Sequence, residues 1–279
     1  VGPDTIPDYW EVIWSANINL PLKRAFGITD VEIGCTDLKR AYTSIDEGDA
    51  ISLAREWTRS ASGVDVSERD ILDVARLYLA IKGIIREREV NAVRVMCGPL
   101  VGKVLPWACF VISRLTDEGI PAICADDNPC ALMLSYIANK PVFFGGPYLI
   151  EGDTIYFTHC TIPSRMGGYS QPSCPITLKG LTHHQSRVQH GVTAYIPQKL
   201  GEDVTIVSTS RDKGVLLAKG KIVTCSDVGE DGNCRISLGI RTANSSQLIN
   251  HSYSHLFSIV YGEYTEEVKM LCRQLDIGV

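Results

Sequence analysis

Two adjacent carboxylates, Asp126 and Asp127, stand directly after the apolar run Ala122-Ile123-Cys124-Ala125 and directly before Asn128-Pro129. A strand that ends in such a loop delivers its side chains to the C-terminal edge of a sheet, where α/β proteins build their sites. Consecutive side chains leave a loop in different directions, so one of the two faces a site, as a ligand for a hard cation or as a proton carrier. The same pair also suits a second role, because Asp shortly before Pro caps a helix and meets its dipole. Six histidines join them. His159 closes the β-type run 154–158, as a hydrogen-bonded structural residue or as a ligand. His251 and His255 are four apart, the separation that places two ligands on one helix face, although Asn244, Ser245, Ser246 and Asn250 favour a loop or strand there. His183, His184 and His190 are polar loop residues ahead of Val192 and receive no chemistry. Lys103 follows Gly98 and Gly102 in a stretch too short for a P-loop, with Val104 where a hydroxyl is required, so it is left as an anion contact on an ordinary strand-to-helix turn.

Positioning such residues requires a sheet. Residues 49–60 and 67–88 read as helices, the second with Ser67 as N-cap, an acidic first turn, and Ile71, Val74, Leu77, Tyr78, Ile81 and Ile84 at helical spacing. Short β-type runs at 30–33, 92–97, 122–124 and 141–144 alternate with helical stretches at 67–88, 105–118 and 129–138. That alternation predicts βαβ units and a parallel sheet. From Gly145 onward the pattern changes to short β-rich runs (154–158, 192–197, 204–208, 214–225 and 234–240) separated by Gly, Asp, Asn and Pro, and a last helix over 265–275. The expected fold class is therefore α/β: a parallel-sheet α/β domain over 1–145, then an antiparallel β-barrel or sandwich domain over 146–279 whose C-terminal helix packs back toward the first.

Composition narrows the function. The chain has 279 residues, 27 Lys plus Arg against 32 Asp plus Glu, and a net charge of -5. No general attraction to phosphate backbones is expected, so nucleic acid is not an expected partner. Apolar runs such as 101–112 and 130–137 are broken well short of the roughly 20 residues of a membrane span, and no membrane partner is expected. Ten cysteines include no CxxC pair and mostly sit in apolar runs. Structural zinc is not expected from that spacing, and free thiols used as small hydrophobes fit the cytoplasm. No signal-type segment opens the sequence.

The ordered motifs resemble the middle and C-terminal domains of the L-fucose isomerase and L-arabinose isomerase superfamily. The resemblance is carried by Phe26-Gly27-Ile28, Ala75-Arg76-Leu77-Tyr78, Gly119-Ile120-Pro121-Ala122-Ile123-Cys124-Ala125-Asp126-Asp127 and Lys140-Pro141-Val142-Phe143-Phe144. It continues through Thr158-His159-Cys160, Gly191-Val192-Thr193, His255, Tyr261-Gly262 and Leu275-Asp276-Ile277. It implies a metal-dependent aldose–ketose isomerase working through an enediol on a small sugar. The implied cofactor is a divalent metal, Mn2+ first and Mg2+ or another next, with a homo-oligomeric assembly and a further N-terminal domain that this sequence does not include. By the same resemblance Asp127 is a metal ligand and a catalytic carboxylate, His255 the C-terminal metal histidine with His251 as its alternative, and His159 a substrate contact, with Lys103 beside it. The chain departs from the family in two places. Ala125 stands where relatives carry Glu, and no Asp or Glu occurs from Asn91 through Thr116. Asp126 is then the replacement acid. The alternative implied by these losses is a non-catalytic sugar-binding or assembly protein of the same fold.

Overall fold

The structure, a computed structural model, describes residues 20–97, 100–102, 104–124, 128–181, 190–211, 214–229, 234–243 and 245–279. The first half is a helical layer around short strands. Helices α1 (Leu20–Ala25), α2 (Cys35–Thr43) and α3 (Glu47–Ser60) are followed by strand β1 (Gly63–Asp65) and by α4 (Glu68–Glu87). Asp46 accepts from the Asp49 N–H at 3.1 Å to cap α3, and Ser67 accepts from the Asp70 N–H at 3.1 Å to cap α4, as its sequence predicts. Helices α2 and α3 pack against α4, whose buried face includes Ile71, Val74, Leu77, Tyr78 and Ile81. Trp57 lies edge-on to Tyr78 and to Phe110, at centroid distances of 5.5 and 5.0 Å.

Strand β2 (Val93–Val95) pairs in parallel with β3 (Ala122–Cys124), the crossover between them containing α5 (Cys109–Asp117), and β3 leads to α6 (Pro129–Ala138). The expected parallel pairing is thus present for the runs 92–97 and 122–124, whereas the run 141–144, expected in the same sheet, leads into a strand beginning at Phe143 whose neighbours are both antiparallel. Residues 30–33 form no strand: Val31 is 49% exposed and Asp30 is paired with Lys23, so the run has neither a strand partner nor an apolar face to bury. β1 lies parallel to β6 (Thr177–Gly180), which is antiparallel to β7 (Val192–Tyr195).

The barrel is closed by six strands, β4 (Phe143–Glu151), β5 (Thr154–His159), β8 (Asp203–Thr209), β9 (Val215–Asp227), β10 (Ile236–Thr242) and β11 (Phe257–Tyr261), in the order β10-β5-β4-β11-β8-β9. Every neighbouring pair is antiparallel. Closure leaves no strand edge unpaired, and alternating side chains fill the interior with Phe143, Ile155, Phe157, Ile206, Leu238 and Phe257. The register shifts between Pro147 and Leu149, where a residue without an N–H costs no ladder bond, and again between Gly239 and Ile240. At Gly239 a Cβ would fall 2.3 Å from the Thr224 hydroxyl oxygen, so that crossing requires glycine. Helix α7 (Ser245–Asn250) and helix α8 (Thr265–Gln274) complete the chain, and α8 packs on β9 and α6, the return toward the first half that the sequence predicts.

Candidate functional site

The register of β4 gathers the chemistry. Antiparallel pairing runs β5, β9 and β11 one way and β4, β8 and β10 the other, so the C-terminal end of β5 and the N-terminal end of β11 point to opposite ends of the barrel. Both nevertheless meet the same stretch of β4, which lies between His159 on β5 and His255 on the segment entering β11. Gly146 lies between them: it pairs with Thr158, and a Cβ there would meet the His255 carbonyl oxygen at 3.3 Å.

The α/β layer is tied to the entry of β11 through Asn128, which is 3% exposed. Its Oδ1 accepts from the Cys130 N–H at 3.0 Å, making it the N-cap of α6, while its Nδ2 donates to the Leu256 carbonyl at 2.9 Å. The helix cap that Asp126 or Asp127 was expected to supply is therefore Asn128. The Leu256 carbonyl also accepts from the hydroxyls of Ser208 at 3.1 Å and Ser254 at 3.0 Å. The residue after Asp127 and the residue after His255 are thus hydrogen-bonded, one at the exit of β3 and the other at the entry to β11. Asp126, Asp127 and Lys103 themselves lie outside the described residues.

His159 is held in one orientation. Its Nδ1 accepts from the Thr161 N–H at 3.2 Å and stands 2.8 Å from the Thr161 hydroxyl, and its ring packs on Phe144 at a centroid distance of 4.6 Å. An Nδ1 that accepts places the proton of the neutral ring on Nε2. Metal ligation by Nε2 would require the other tautomer.

His251 and His255 are both exposed and do not share a helix face. Residues 245–250, expected as loop or strand, are helical, and His251 directly follows that helix. The His251 carbonyl accepts from Arg211 N–H at 3.0 Å, and three residues of irregular chain, 252–254, lie between His251 and His255 in sequence. Of the other histidines, His183 and His184 lie outside the described residues. His190 is bound to Asp73 at 3.0 Å, a structural pairing with α4.

The turn after β2 differs from a phosphate-binding loop. The N–H groups of Val104 and Leu105 both donate to the Leu100 carbonyl at 2.9 Å, and Gly102 donates to Leu105 at 2.8 Å. Leu100, Val101 and Leu105 are buried, so this turn folds on its own apolar side chains. Gly102 has φ +95, and a Cβ there would meet the Trp107 ring at 2.6 Å.

The sequence reading passed over a group of thiols. None of the ten cysteines forms a disulfide, and five of them meet at the junction of the two layers: Cys97 after β2, Cys124 ending β3, Cys109 opening α5, Cys160 after β5 and Cys234 before β10. Cys124 donates to Cys97 at 3.4 Å, and Cys160 is hydrogen-bonded to both Cys109 and Cys234. The donated S–H of Cys124 holds the Cys97 thiol below its usual range, and the Ala108 N–H adds to this. Hydrogen bonds from Cys109 and Cys234 hold Cys160 well below its usual range, while donation and burial push Cys109, Cys124 and Cys234 up. Spacing concealed this group, because each cysteine comes from a different element. The available signal was that Cys97, Cys124 and Cys160 each stand at the end of a predicted strand.

A recess of about 330 Å³ lined by Arg114, Asp117, Glu118, Arg165 and Tyr169 lies at the C-terminal end of α5, away from Cys109 at its start. Asp117 accepts there from the Ser164 hydroxyl at 2.6 Å and the Arg165 N–H at 3.0 Å, fixing α5 to the segment after β5.

No family model matches the chain. It is 22% identical over 268 residues to sulfoquinovose isomerase of Priestia aryabhattai, and identical to the same extent to sulfoquinovose isomerase of Priestia megaterium. Each match takes in 92% of this chain and 58% of the relative, so the chain spans little more than half the length of the curated relatives it matches. At that identity the comparison supports a distant relationship to an isomerase.

Proposed function

We propose that this chain forms the site region of a sugar aldose–ketose isomerase that works through an enediol. The observation that carries the reading is the Asn128–Leu256 hydrogen bond, which ties the residue after Asp127 to the residue after His255 across two layers of the fold. The similarity to sulfoquinovose isomerase and the resemblance to the L-fucose and L-arabinose isomerases support the same chemistry.

In this reading Asp127 and His255 hold a divalent cation, with His251 as the alternative imidazole. Among the described residues no three His, Cys, Asp or Glu side chains gather around one point, so the ligand set depends on Asp127. A carboxylate with an imidazole suits Mn2+ or Mg2+ by the chemistry of its donors. When bound, the metal supplies polarisation of the two adjacent sugar oxygens. His159 donates its Nε2–H to a sugar oxygen, and Lys103 contributes a second contact. Asp126 moves the proton between C1 and C2, the role left open by the lack of Asp or Glu from Asn91 through Thr116. The assembly is a homo-oligomer.

That missing carboxylate favours a second reading. The turn after β2 buries Leu100, Val101 and Leu105 and carries no acid, which fits a sugar-binding member of the fold without turnover.

The experiment incubates the full chain with Mn2+ in D2O and follows sulfoquinovose, L-fucose and L-arabinose by proton NMR, with metal analysis alongside. Conversion to a ketose with solvent deuterium at C1, and loss of bound Mn2+ in Asp127→Asn and His255→Ala, are expected. Stoichiometric Mn2+ without conversion of any sugar selects the second reading. Mn2+ binding indifferent to both substitutions removes the metal assignment.

A further inference from the structure

β2 and β3 end beside one another, and a thiol stands at or just after each end. Val95 pairs with Cys124 in the parallel register, and Cys97 lies two residues farther along β2. The sulfur atoms are 3.4 Å apart. An S–S bond of about 2.05 Å requires the sulfurs to close by about 1.4 Å. Both residues are partly exposed, whereas Cys109 and Cys160 are buried at 4% and 5%. No three donors among the described residues surround one point, so the thiols are not arranged as a preformed metal centre.

We propose that Cys97 and Cys124 are a thiol modification site, converted by a low-molecular-weight disulfide such as glutathione disulfide into an intramolecular disulfide that locks the ends of β2 and β3 together. The roles within the pair follow from the direction of the hydrogen bond. Cys97 accepts from Cys124 and from the Ala108 N–H, so it is the thiolate that attacks, and Cys124 resolves. Cys97 sulfur bonds to one sulfur of glutathione disulfide, whose S–S bond breaks and releases a glutathione thiolate. Cys124 then gives up its proton and attacks the Cys97 sulfur of the mixed disulfide, releasing the second glutathione. The protein loses two electrons and two protons, and one glutathione disulfide becomes two glutathione thiols. A consequence for sugar turnover rests on the function proposed above; the covalent link does not.

The test treats the full chain with glutathione disulfide, alkylates the remaining thiols, and reads intact mass and mapped peptides. The expected result is loss of two alkylatable thiols, a linked pair of peptides containing Cys97 and Cys124, and recovery of both on reduction with dithiothreitol. In Cys124→Ser a glutathione adduct is retained on Cys97, and in Cys97→Ser the link is lost and Cys124 stays alkylatable. Complete alkylation of both Cys97 and Cys124 after oxidation, or a link from either to Cys109, Cys160 or Cys234, overturns the proposal. The wild-type peptide map decides the matter even where a serine variant fails to fold. Since it reads a covalent bond, it stands apart from any failure of sugar conversion or Mn2+ binding.

Discussion

Asn128 performs two functions through one amide, and its substitutions separate them. Asn128→Ala removes the cap of α6 and leaves the Leu256 carbonyl without its amide donor. A lost N-cap costs about 1 kcal/mol and a lost buried hydrogen bond about 1–2 kcal/mol, so the melting transition should fall by the equivalent of about 2–3 kcal/mol. Asn128→Asp retains an acceptor for Cys130 but sets a carboxylate against a carbonyl. It should keep the helix and still weaken Mn2+ binding, which titration calorimetry reads; unchanged affinity in Asn128→Asp would separate the bridge from the site. The single-residue signals in the sequence were uneven. Asp127 and His255 were readable as candidates because each stands at the end of an element, but Asn128 appeared as one more turn residue. Its second partner is 128 positions away, and no local pattern encodes that.

At the scale of elements, helices were the most legible, because period and caps coincide: Ser67 opens α4 and the run 129–138 matches α6 to the residue. β3 was equally clear, and the strand expected at 204–208 appears as Asp203–Thr209. The strand Phe257–Tyr261 was missed because all five of its residues are buried, which removes the alternation that marks a half-exposed strand. Closure of the barrel was not visible either, since it depends on β11 joining β4 to β8. The barrel interior should be sensitive to volume. Phe157 is fully buried against Phe257 at 5.5 Å, and Phe157→Ala should cost about 3–5 kcal/mol in denaturant unfolding, whereas a loss under about 1 kcal/mol would show that the interior collapses around the gap. The α5 anchor gives a pH signature. Burial raises the Asp117 pKa above its usual value of 3.8, with the Ser164 hydroxyl and Arg165 N–H opposing. A carboxyl that holds its proton more tightly when folded contributes stability at low pH, and that contribution is lost as pH rises through its folded pKa. The melting temperature of the wild type relative to Asp117→Asn should therefore decline as pH rises from about 4, and a constant difference would assign no titration to this site.

Across the whole molecule, the parallel strand ends carry Cys97 and Cys124, and β4 lies between His159 on β5 and His255 ahead of β11. β4 also reaches the outside. It begins with Phe143 and Phe144, both buried, and beyond its register shift it exposes Tyr148, Leu149 and Ile150 by 44%, 41% and 37%. Three consecutive exposed apolar residues form the kind of surface that a second copy covers. The homo-oligomer proposed above should use this end of β4. Ile150→Lys should then shift the light-scattering mass of the full chain toward the monomer. Its thermal unfolding at low protein concentration should stay within about 0.5 kcal/mol of wild type, because an exposed side chain contributes little to the isolated fold. A wild-type protein that scatters as a monomer at every accessible concentration would refute the assembly. An oligomer untouched by Ile150→Lys would place its interface elsewhere on the molecule.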